Sequence, residues 1–402
     1  MKQRISAVFF NTSHLPINWF YKDLILGLSE YLNLGVAIPT SEFLDSEVLS
    51  SVRLHRFSVE RKPSVVGFLK NTPQILSEIR TAVESYDIIV SNNIVSGFYL
   101  ALHRLVASKK KTWIHCFTGQ IWSSNNRFLL SPYFWIDMII FKLADKIVFD
   151  SPSQFKFFEK HSLLLVGKKN IWVGFSVFGV RRSILAKAQK LAVVNSSKKG
   201  HLTNYNHLDR SACVRFGYVG RISRDKGIYD LFEVFERLHQ AGLDIKFDCW
   251  GVAEDKRLEE ALRISKFCRF HGETSDVSEC FREIDFLLVP SFREGFGNVV
   301  LEASLFGVRA ICRDIFGLHD VSAFCESIVL ADDYRESLVT EIIEGRLLMS
   351  PDEKVLYAQS MLNKYRTYLS EDRLMAFYQN LFEANTNDKT SRHYFFKEGV
   401  LE

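Results

Sequence analysis

The chain has 402 residues, 47% hydrophobic and 24% charged, which excludes a disordered, collagenous or small disulfide-stapled protein and suits two domains of ordinary size. The net charge of +4 conceals a split: residues 1–200 hold 26 Lys and Arg against 13 Asp and Glu, while the remainder holds 25 against 34. A basic first half suits nucleic acid, an anionic membrane surface or a phosphorylated acceptor, and the asymmetry predicts halves with different partners.

Met1–Arg4 leads straight into the strand-like run Ile5–Phe10, so no leader peptide is expected. Further short β-branched and aromatic runs follow at Leu34–Ile38, Asp87–Ser91, Thr112–Cys116, Lys146–Asp150 and Asn170–Val173. Amphipathic stretches such as Trp19–Tyr31, Val65–Glu84 and Ser96–Ala107 separate them. The longest apolar stretch, Phe128–Phe149, is interrupted by Pro132, Asp137, Lys142, Asp145 and Lys146 and makes a poor membrane span. A polar Lys/Ser/Asn-rich stretch, Lys187–Arg210, reads as a linker. The alternation then restarts with strands at Val214–Val219, Ile245–Trp250, Phe267–His271, Phe286–Val289, Val308–Cys312 and Ser327–Leu330. Helical periods, Ile228–Ala241, Glu254–Ser265, Asn298–Phe306 and Glu336–Leu348, lie between or after them. Two late helices, about Glu353–Tyr368 and Glu371–Ala384, precede a tail expected to fray.

Alternating strands and helices predict an α/β fold of two doubly wound, Rossmann-like lobes facing across a cleft. The expected organisation is a lobe over 1–175, a linker over 176–212, a second lobe over 213–360 and C-terminal helices over 361–402 returning to the first lobe. The seven cysteines, Cys116, Cys213, Cys249, Cys268, Cys280, Cys312 and Cys325, form no CxxC pair, which argues for a reducing compartment and against a disulfide framework or zinc site.

Two segments of the second half carry chemistry. Ser291–Ala303, SFREGFGNVVLEA, follows an apolar strand and opens a helix. Its glycines Gly295 and Gly297 let backbone approach a ligand, and amides at the helix start suit a pyrophosphate. Glu302 is placed to accept two hydrogen bonds from a ribose diol. Phe216–Gly227, FGYVGRISRDKG, ends a strand at Val219, turns at Gly220 and presents Arg221 and Lys226, two cations suited to a leaving diphosphate. Read singly, either is an ordinary strand–loop–helix unit with solvated charges; together they point to a nucleoside diphosphate.

Together these segments resemble the C-terminal lobe of retaining GT-B glycosyltransferases of family 4, over most of residues 213–330. The resemblance implies that Gly220, Arg221 and Lys226 bind the donor diphosphate, that Glu294, Phe296, Gly297 and Asn298 hold the donor sugar, and that Glu302 holds the ribose. One departure is Arg309, where the family usually has proline. In the first half, Trp113–Trp122 (WIHCFTGQIW) and Phe149–Gln154 (FDSPSQ) look like the N-terminal lobe of bacterial surface-polysaccharide members. The family places a histidine at the end of such a strand, facing the donor sugar, which makes His115 a catalytic candidate beside Glu294. Asp150 and Ser151 read as a helix cap. Asn11–Asn18 stands where many members have a glycine pair, and His14 there reads as an exposed loop residue.

No cofactor and no metal are expected, since no cluster has ligand spacing and no DxD-type motif is evident; the nucleotide-sugar is a co-substrate. The implied partners are that donor, a glycan or lipid-diphosphate-linked glycan acceptor and an anionic membrane surface met by Phe128–Phe141, Lys109–Lys111 and Arg181–Arg182; no nucleic acid is expected. The implied place is the cytoplasm, peripheral on the inner face of the cell membrane. Alternatives of the same fold are a sugar-nucleotide epimerase, which would need acid/base carboxylates that residues 1–175 largely lack, and a non-catalytic nucleotide-sugar-binding subunit.

Overall fold

A computed structural model of the protein describes residues 4–59, 65–108, 111–124, 128–161, 170–197, 214–330, 333–344, 349–384 and 391–396. The chain divides into two compact units. The first takes the chain up to Arg181 and the segment from Leu369 onward; the second is Arg182–Tyr368.

The first lobe contains, in chain order, β1 (Ser6–Phe10), α1 (His14–Pro16), α2 (Lys22–Ser29), β2 (Asn33–Pro39), α3 (Ser46–Ser51), β3 (Arg53–Phe57), α4 (Val65–Val83), β4 (Ile88–Ser91), α5 (Ile94–Val106), β5 (Thr112–Phe117), α6 (Pro132–Leu143), β6 (Lys146–Phe149), α7 (Pro152–His161) and β7 (Asn170–Val173). A π-helical turn, Ile17–Tyr21, joins α1 to α2. The second lobe contains α8 (Arg182–Ser197), β8 (Arg215–Val219), α9 (Ile228–Gln240), β9 (Lys246–Trp250), α10 (Lys256–Ile264), β10 (Cys268–Gly272), α11 (Val277–Glu283), β11 (Phe286–Val289), α12 (Asn298–Ser304), β12 (Arg309–Arg313), α13 (Leu318–Cys325), β13 (Ile328–Leu330), α14 (Tyr334–Glu344) and α15 (Pro351–Tyr368). The chain then returns to the first lobe as α16 (Glu371–Glu383) and β14 (Arg392–Tyr394).

Both sheets are parallel, as strands with two apolar faces require. The first runs β14-β7-β6-β5-β4-β1-β2-β3 and the second β10-β9-β8-β11-β12-β13. In β1, Val8 and Phe10 enter the layer that holds Trp113, Phe141 and Phe158, while Ala7 and Phe9 enter the opposite layer with Leu24 and Tyr378. Each sheet has one point where the strand order reverses, between β1 and β4 and between β8 and β11. Ligand crevices of open α/β sheets form at the carboxyl ends of the strands flanking such a point.

Several boundaries differ from the sequence reading. Helix α8 fills much of the range read as linker, because Ile184 and Ala188, one turn apart, bury an apolar stripe among its lysines. Lys187 pairs with Asp276 of the second lobe; the rest of that polar stretch, 198–210, lies outside the described residues. The second lobe runs on to Tyr368. Strand β3 was not expected: RLHRF is an edge strand with little apolar alternation. Part of the tail read as frayed is β14, which pairs with β7 in the register Arg392↔Ile171, His393↔Trp172, and stacks His393 on Trp172 at 4.1 Å; residues 397–402 lie outside the described residues. Buried Lys146 anchors α16, its Nζ donating to the carbonyls of Leu381 at 2.5 Å and Ala384 at 2.7 Å, where the helix needs donors. Among the described residues no helix is long and apolar enough to cross a membrane, and the six described cysteines are buried and unpaired by disulfides.

Candidate functional site

The two segments singled out in the second half end β8 and β11, the strands flanking the second lobe's switch point. Gly220 closes β8, and its N–H donates to the Trp250 carbonyl at 3.0 Å. Gly227 ends a 3₁₀ turn, Arg224–Lys226, at φ +71° and starts α9. A Cβ there would lie 2.2 Å from the Pro290 carbonyl oxygen, so glycine alone lets the two loops pack backbone to backbone. Phe292 N–H donates to the Asp225 carbonyl at 3.0 Å and fixes their register. Gly297, at φ +90°, caps α12; Phe296 is buried beside it, Asn298 is the first helical residue, and Glu302 is buried on the same seven-residue helix.

Charge is concentrated where the loops meet. Lys226 Nζ donates to Glu294 Oε1 at 2.5 Å, and Ser291 Oγ donates to the same oxygen at 2.9 Å. Arg221 donates to Glu254 Oε1 at 2.7 Å and to Asp225 Oδ2 at 3.3 Å. Arg293 donates to that Asp225 oxygen at 2.8 Å. Burial opposes ionisation of Asp225, but the Ser223 hydroxyl, Arg293 and Arg221 outweigh it and hold the carboxyl at about 2. Three cations thus stand against three carboxylates on loops brought together from positions 68 residues apart.

Sequence reasoning missed Asp225, Glu254, Arg293 and Arg313. Arg313 closes β12, donates to the Pro290 carbonyl at 2.9 Å, pairs with Asp230 and lies 4.2 Å and 4.8 Å from the ring centres of Phe292 and Tyr334. It therefore props the first residues of the Glu294 loop. Arg309, the departure from the family pattern, opens β12 with its guanidinium 5.4 Å from the Tyr357 ring centre.

The first lobe's switch point has a different chemistry. The loops after β1 and β4 bring together Asn11, Thr12, Asn92 and Asn93. Asn93 Nδ2 donates to Asn11 Oδ1 at 3.1 Å and Thr12 Oγ1 donates to Asn93 Oδ1 at 3.2 Å, while Asn93 also caps α5. Asn11 Nδ2 is buried without a partner among the described residues.

His115 lies two residues short of the end of β5, and its ring points into the helix layer rather than off the strand end. Trp113, His115 and Phe117 share one face of the strand, and His115 is 1% exposed. Ser91 Oγ accepts from Trp113 Nε1 at 2.9 Å and sits 2.7 Å from His115 Nδ1, so its own proton goes to the imidazole. Burial pushes His115 down to about 3, which keeps it neutral at physiological pH. Ser151 Oγ accepts from Gln154 N–H at 3.3 Å at the start of α7, whereas Asp150 Oδ1 accepts from Val177 N–H at 2.9 Å. His14 N–H donates to Glu42 at 3.2 Å. Among the described residues no three His, Cys, Asp or Glu side chains are grouped as a metal set.

Residues 213–345 match the family model described as glycosyl transferases group 1. Among curated proteins, the chain is similar to the capsular polysaccharide biosynthesis glycosyltransferase CapM of Staphylococcus aureus, 29% identical over 133 residues, 32% of this chain and 35% of CapM. The chain thus spans about a third of the length of that relative. Among solved structures it is similar to sucrose-phosphate synthase from Thermosynechococcus elongatus, with TM-score 0.71, 15% identity and coverage of 95% of this chain and 100% of that one. It is also similar to Anabaena HepE in complex with UDP and glucose, with TM-score 0.63, 15% identity and coverage of 94% and 98%. These likenesses establish the fold: two parallel-sheet, Rossmann-like lobes of the GT-B type.

Proposed function

We propose that this chain is a nucleotide-sugar glycosyltransferase, moving a sugar from a nucleoside diphosphate donor to a glycan hydroxyl with retention of configuration. We infer further that the acceptor is lipid-linked and the product a bacterial surface polysaccharide, capsule or O-antigen, assembled at the cytoplasmic face of the membrane. The observation that carries the reading is the Lys226–Glu294 ion pair, which joins the two loops flanking the β8/β11 switch point. The family match over the same lobe and the likeness to CapM, a capsular polysaccharide biosynthesis glycosyltransferase, support it.

In the reaction, the bond from the anomeric carbon to the diphosphate breaks as the acceptor oxygen attacks from the same face. The acceptor's proton passes to the departing phosphate oxygen. The negative charge that develops there is met by Arg221 and Lys226. An incoming diphosphate competes with Glu254 and Asp225 for Arg221 and with Glu294 for Lys226, exchanging one set of charge-assisted hydrogen bonds for another. Glu294, released from Lys226, accepts from the donor sugar, with the amides of Phe296, Gly297 and Asn298 around it. Glu302 accepts from the ribose. The two cations take the part a metal plays at other diphosphates, so the reaction needs no added metal. His115 acts through Ser91, holding the end of β4 beneath Asn92 and Asn93.

A panel of nucleotide sugars tests the reading. One of them at 100 times its dissociation constant stabilises the protein by about 2.7 kcal/mol, which melting curves detect readily. That donor then supports sugar transfer to a glycan acceptor. Interconversion of the sugar without transfer would identify an epimerase, binding without turnover a non-catalytic subunit, and no shift with any nucleotide sugar removes the reading altogether.

A further inference from the structure

The Glu294 loop is built against a second stretch of the same lobe. Residues 313–318 leave β12 and turn into α13, and they meet residues 290–297 in matching order. Arg313 comes first, donating to the Pro290 carbonyl beneath the Phe292 ring. Gly317 faces the next residues: a Cβ there would lie 2.6 Å from the Gly295 carbonyl oxygen and 2.9 Å from that of Glu294. Leu318, fully buried, comes last, and a Cβ on Gly297 would lie 2.6 Å from its Cδ2. The supporting stretch is firmly held, since β12 is paired on both sides and Asp314 N–H continues the ladder to the Leu330 carbonyl at 3.1 Å.

Glycine is not what starting a helix requires. Asp255 and Asp276 cap α10 and α11 through their carboxylates, as short polar residues ordinarily do. Helices α9, α12 and α13 start instead at Gly227, Gly297 and Gly317, with no side-chain cap. These are the helices whose opening turns meet at the Glu294 loop, so close approach has displaced capping there. Gly317 stands at φ +80°, ψ −60°. That is the mirror image of the common inverse γ-turn, open to glycine and strained for any residue with a Cβ.

The loop itself is located by packing more than by a ladder. Gly295 is buried, yet its N–H donates to no described residue. Buried N–H groups are rarely left without a partner, so this one is open to a ligand. The Glu294–Gly295 peptide bond is trans, which sets its N–H opposite its carbonyl oxygen. Gly317 occupies the carbonyl side of that peptide and thereby turns the N–H the other way.

We propose that Gly317 is a positioning residue of the donor site. It fixes the plane of the Glu294–Gly295 peptide and so aims the Gly295 N–H, together with the Glu294 side chain, at oxygens of the transferred sugar. The inference rests on the transferase reading, in which Glu294 holds that sugar. It gives the turn from β12 into α13 a share in a site that the sequence confined to two segments.

The test compares variants of the full chain in sugar transfer and in binding of a nucleoside diphosphate, chosen from UDP, GDP, ADP and dTDP by its shift of the melting curve. Gly317→Ala should lower kcat roughly 10²-fold, as a displacement of about 1 Å does at a reacting centre. It should leave nucleoside diphosphate affinity at the wild-type value, because Arg221 and Lys226 stand on the loop between β8 and α9. Gly242→Ala, at φ +79° with nothing within 4 Å of the new methyl, carries the cost of positive φ without the contact and should keep the wild-type kcat. Combined with Glu294→Gln, Gly317→Ala should slow transfer by far less than the product of the two single effects. Should Gly317→Ala fail to fold, Leu318→Val, which withdraws the Cδ2 beneath Gly297, should show the same split between kcat and affinity more mildly. Full kcat in a folded Gly317→Ala overturns the proposal, as does affinity that falls in step with kcat. So do fully multiplicative effects with Glu294→Gln, or a normal Leu318→Val beside an unfolded Gly317→Ala. A wild type that neither binds nor uses any nucleotide sugar breaks the transferase reading, and the role of Gly317 falls with it; a wild type that transfers beside an equally fast Gly317→Ala breaks this proposal alone.

Discussion

The two lobes share a topology and differ in what they place at its switch point. In the second lobe the loops after β8 and β11 carry Arg221, Asp225, Lys226, Arg293 and Glu294, cross-paired into a compact charge network. In the first lobe the loops after β1 and β4 carry Asn11, Thr12, Asn92 and Asn93, linked through amides and a hydroxyl. The same backbone device thus gathers charged side chains in one lobe and neutral amide and hydroxyl side chains in the other. Fold sets where a ligand goes; the side chains at the strand ends set its class.

The comparison breaks most sharply at the cations. Arg221→Ala and Lys226→Ala should each slow sugar transfer by roughly 10²–10³-fold, as loss of one charge-stabilising donor does elsewhere. A chelator should leave the wild-type rate unchanged, and strict dependence on an added divalent ion would contradict the role given to these residues. Glu302→Ala should weaken nucleotide-sugar binding by on the order of 1.5–3 kcal/mol, read by titration, because ribose loses a charged acceptor. In the first lobe, Asn11→Ala should leave the melting shift with the donor intact and raise the acceptor KM alone; equal damage to both would mean the lobes do not divide the substrates.

Smaller effects sharpen the picture. Asp225→Asn removes the carboxylate that Arg221 and Arg293 share, so the nucleoside diphosphate product should inhibit several-fold more strongly. Weaker product inhibition would assign Asp225 to loop geometry instead. Burial raises Asp137 to about 7, with Trp122 opposing it. Its folded pKa exceeds the unfolded value, so the stability it contributes is present below about pH 4 and is lost as pH rises toward 7 and beyond. Asp137→Asn, which still accepts from Trp122, should therefore raise the melting temperature at pH 8 and change it little at pH 4. His115 has the opposite sign, since its pKa is depressed to about 3: stability falls as pH drops below about 6.5.

What was legible in the sequence was local. Strand–helix alternation gave the parallel strands, and the Gly-Arg…Lys-Gly and Glu-Gly-Phe-Gly segments marked the ends of β8 and β11 because turns there need particular residues. What stayed hidden was set by partners far along the chain. Arg313 meets Asp230 across 83 positions and Arg293 meets Asp225 across 68. Neither pairing leaves a periodic trace. Strand β14 is three residues long and gains its register from β7 and His393 stacking on Trp172. The inward setting of His115 was readable in principle: in TWIHCF it shares a face with Trp113 and Phe117, two large aromatics that a core demands.

The return of α16 to the first lobe has a consequence for biosynthesis. Lys146 finds its acceptors, the carbonyls of Leu381 and Ala384, only 235 and 238 positions later, and Tyr378 donates to the Val177 carbonyl from 201 positions away. As the chain leaves the ribosome, the first lobe emerges with an unmatched lysine and an uncovered apolar layer. It waits through synthesis of the entire second lobe, whose stretch Arg182–Tyr368 is contiguous. The order of translation is thus the reverse of the order of completion: the half made first is the half that finishes last.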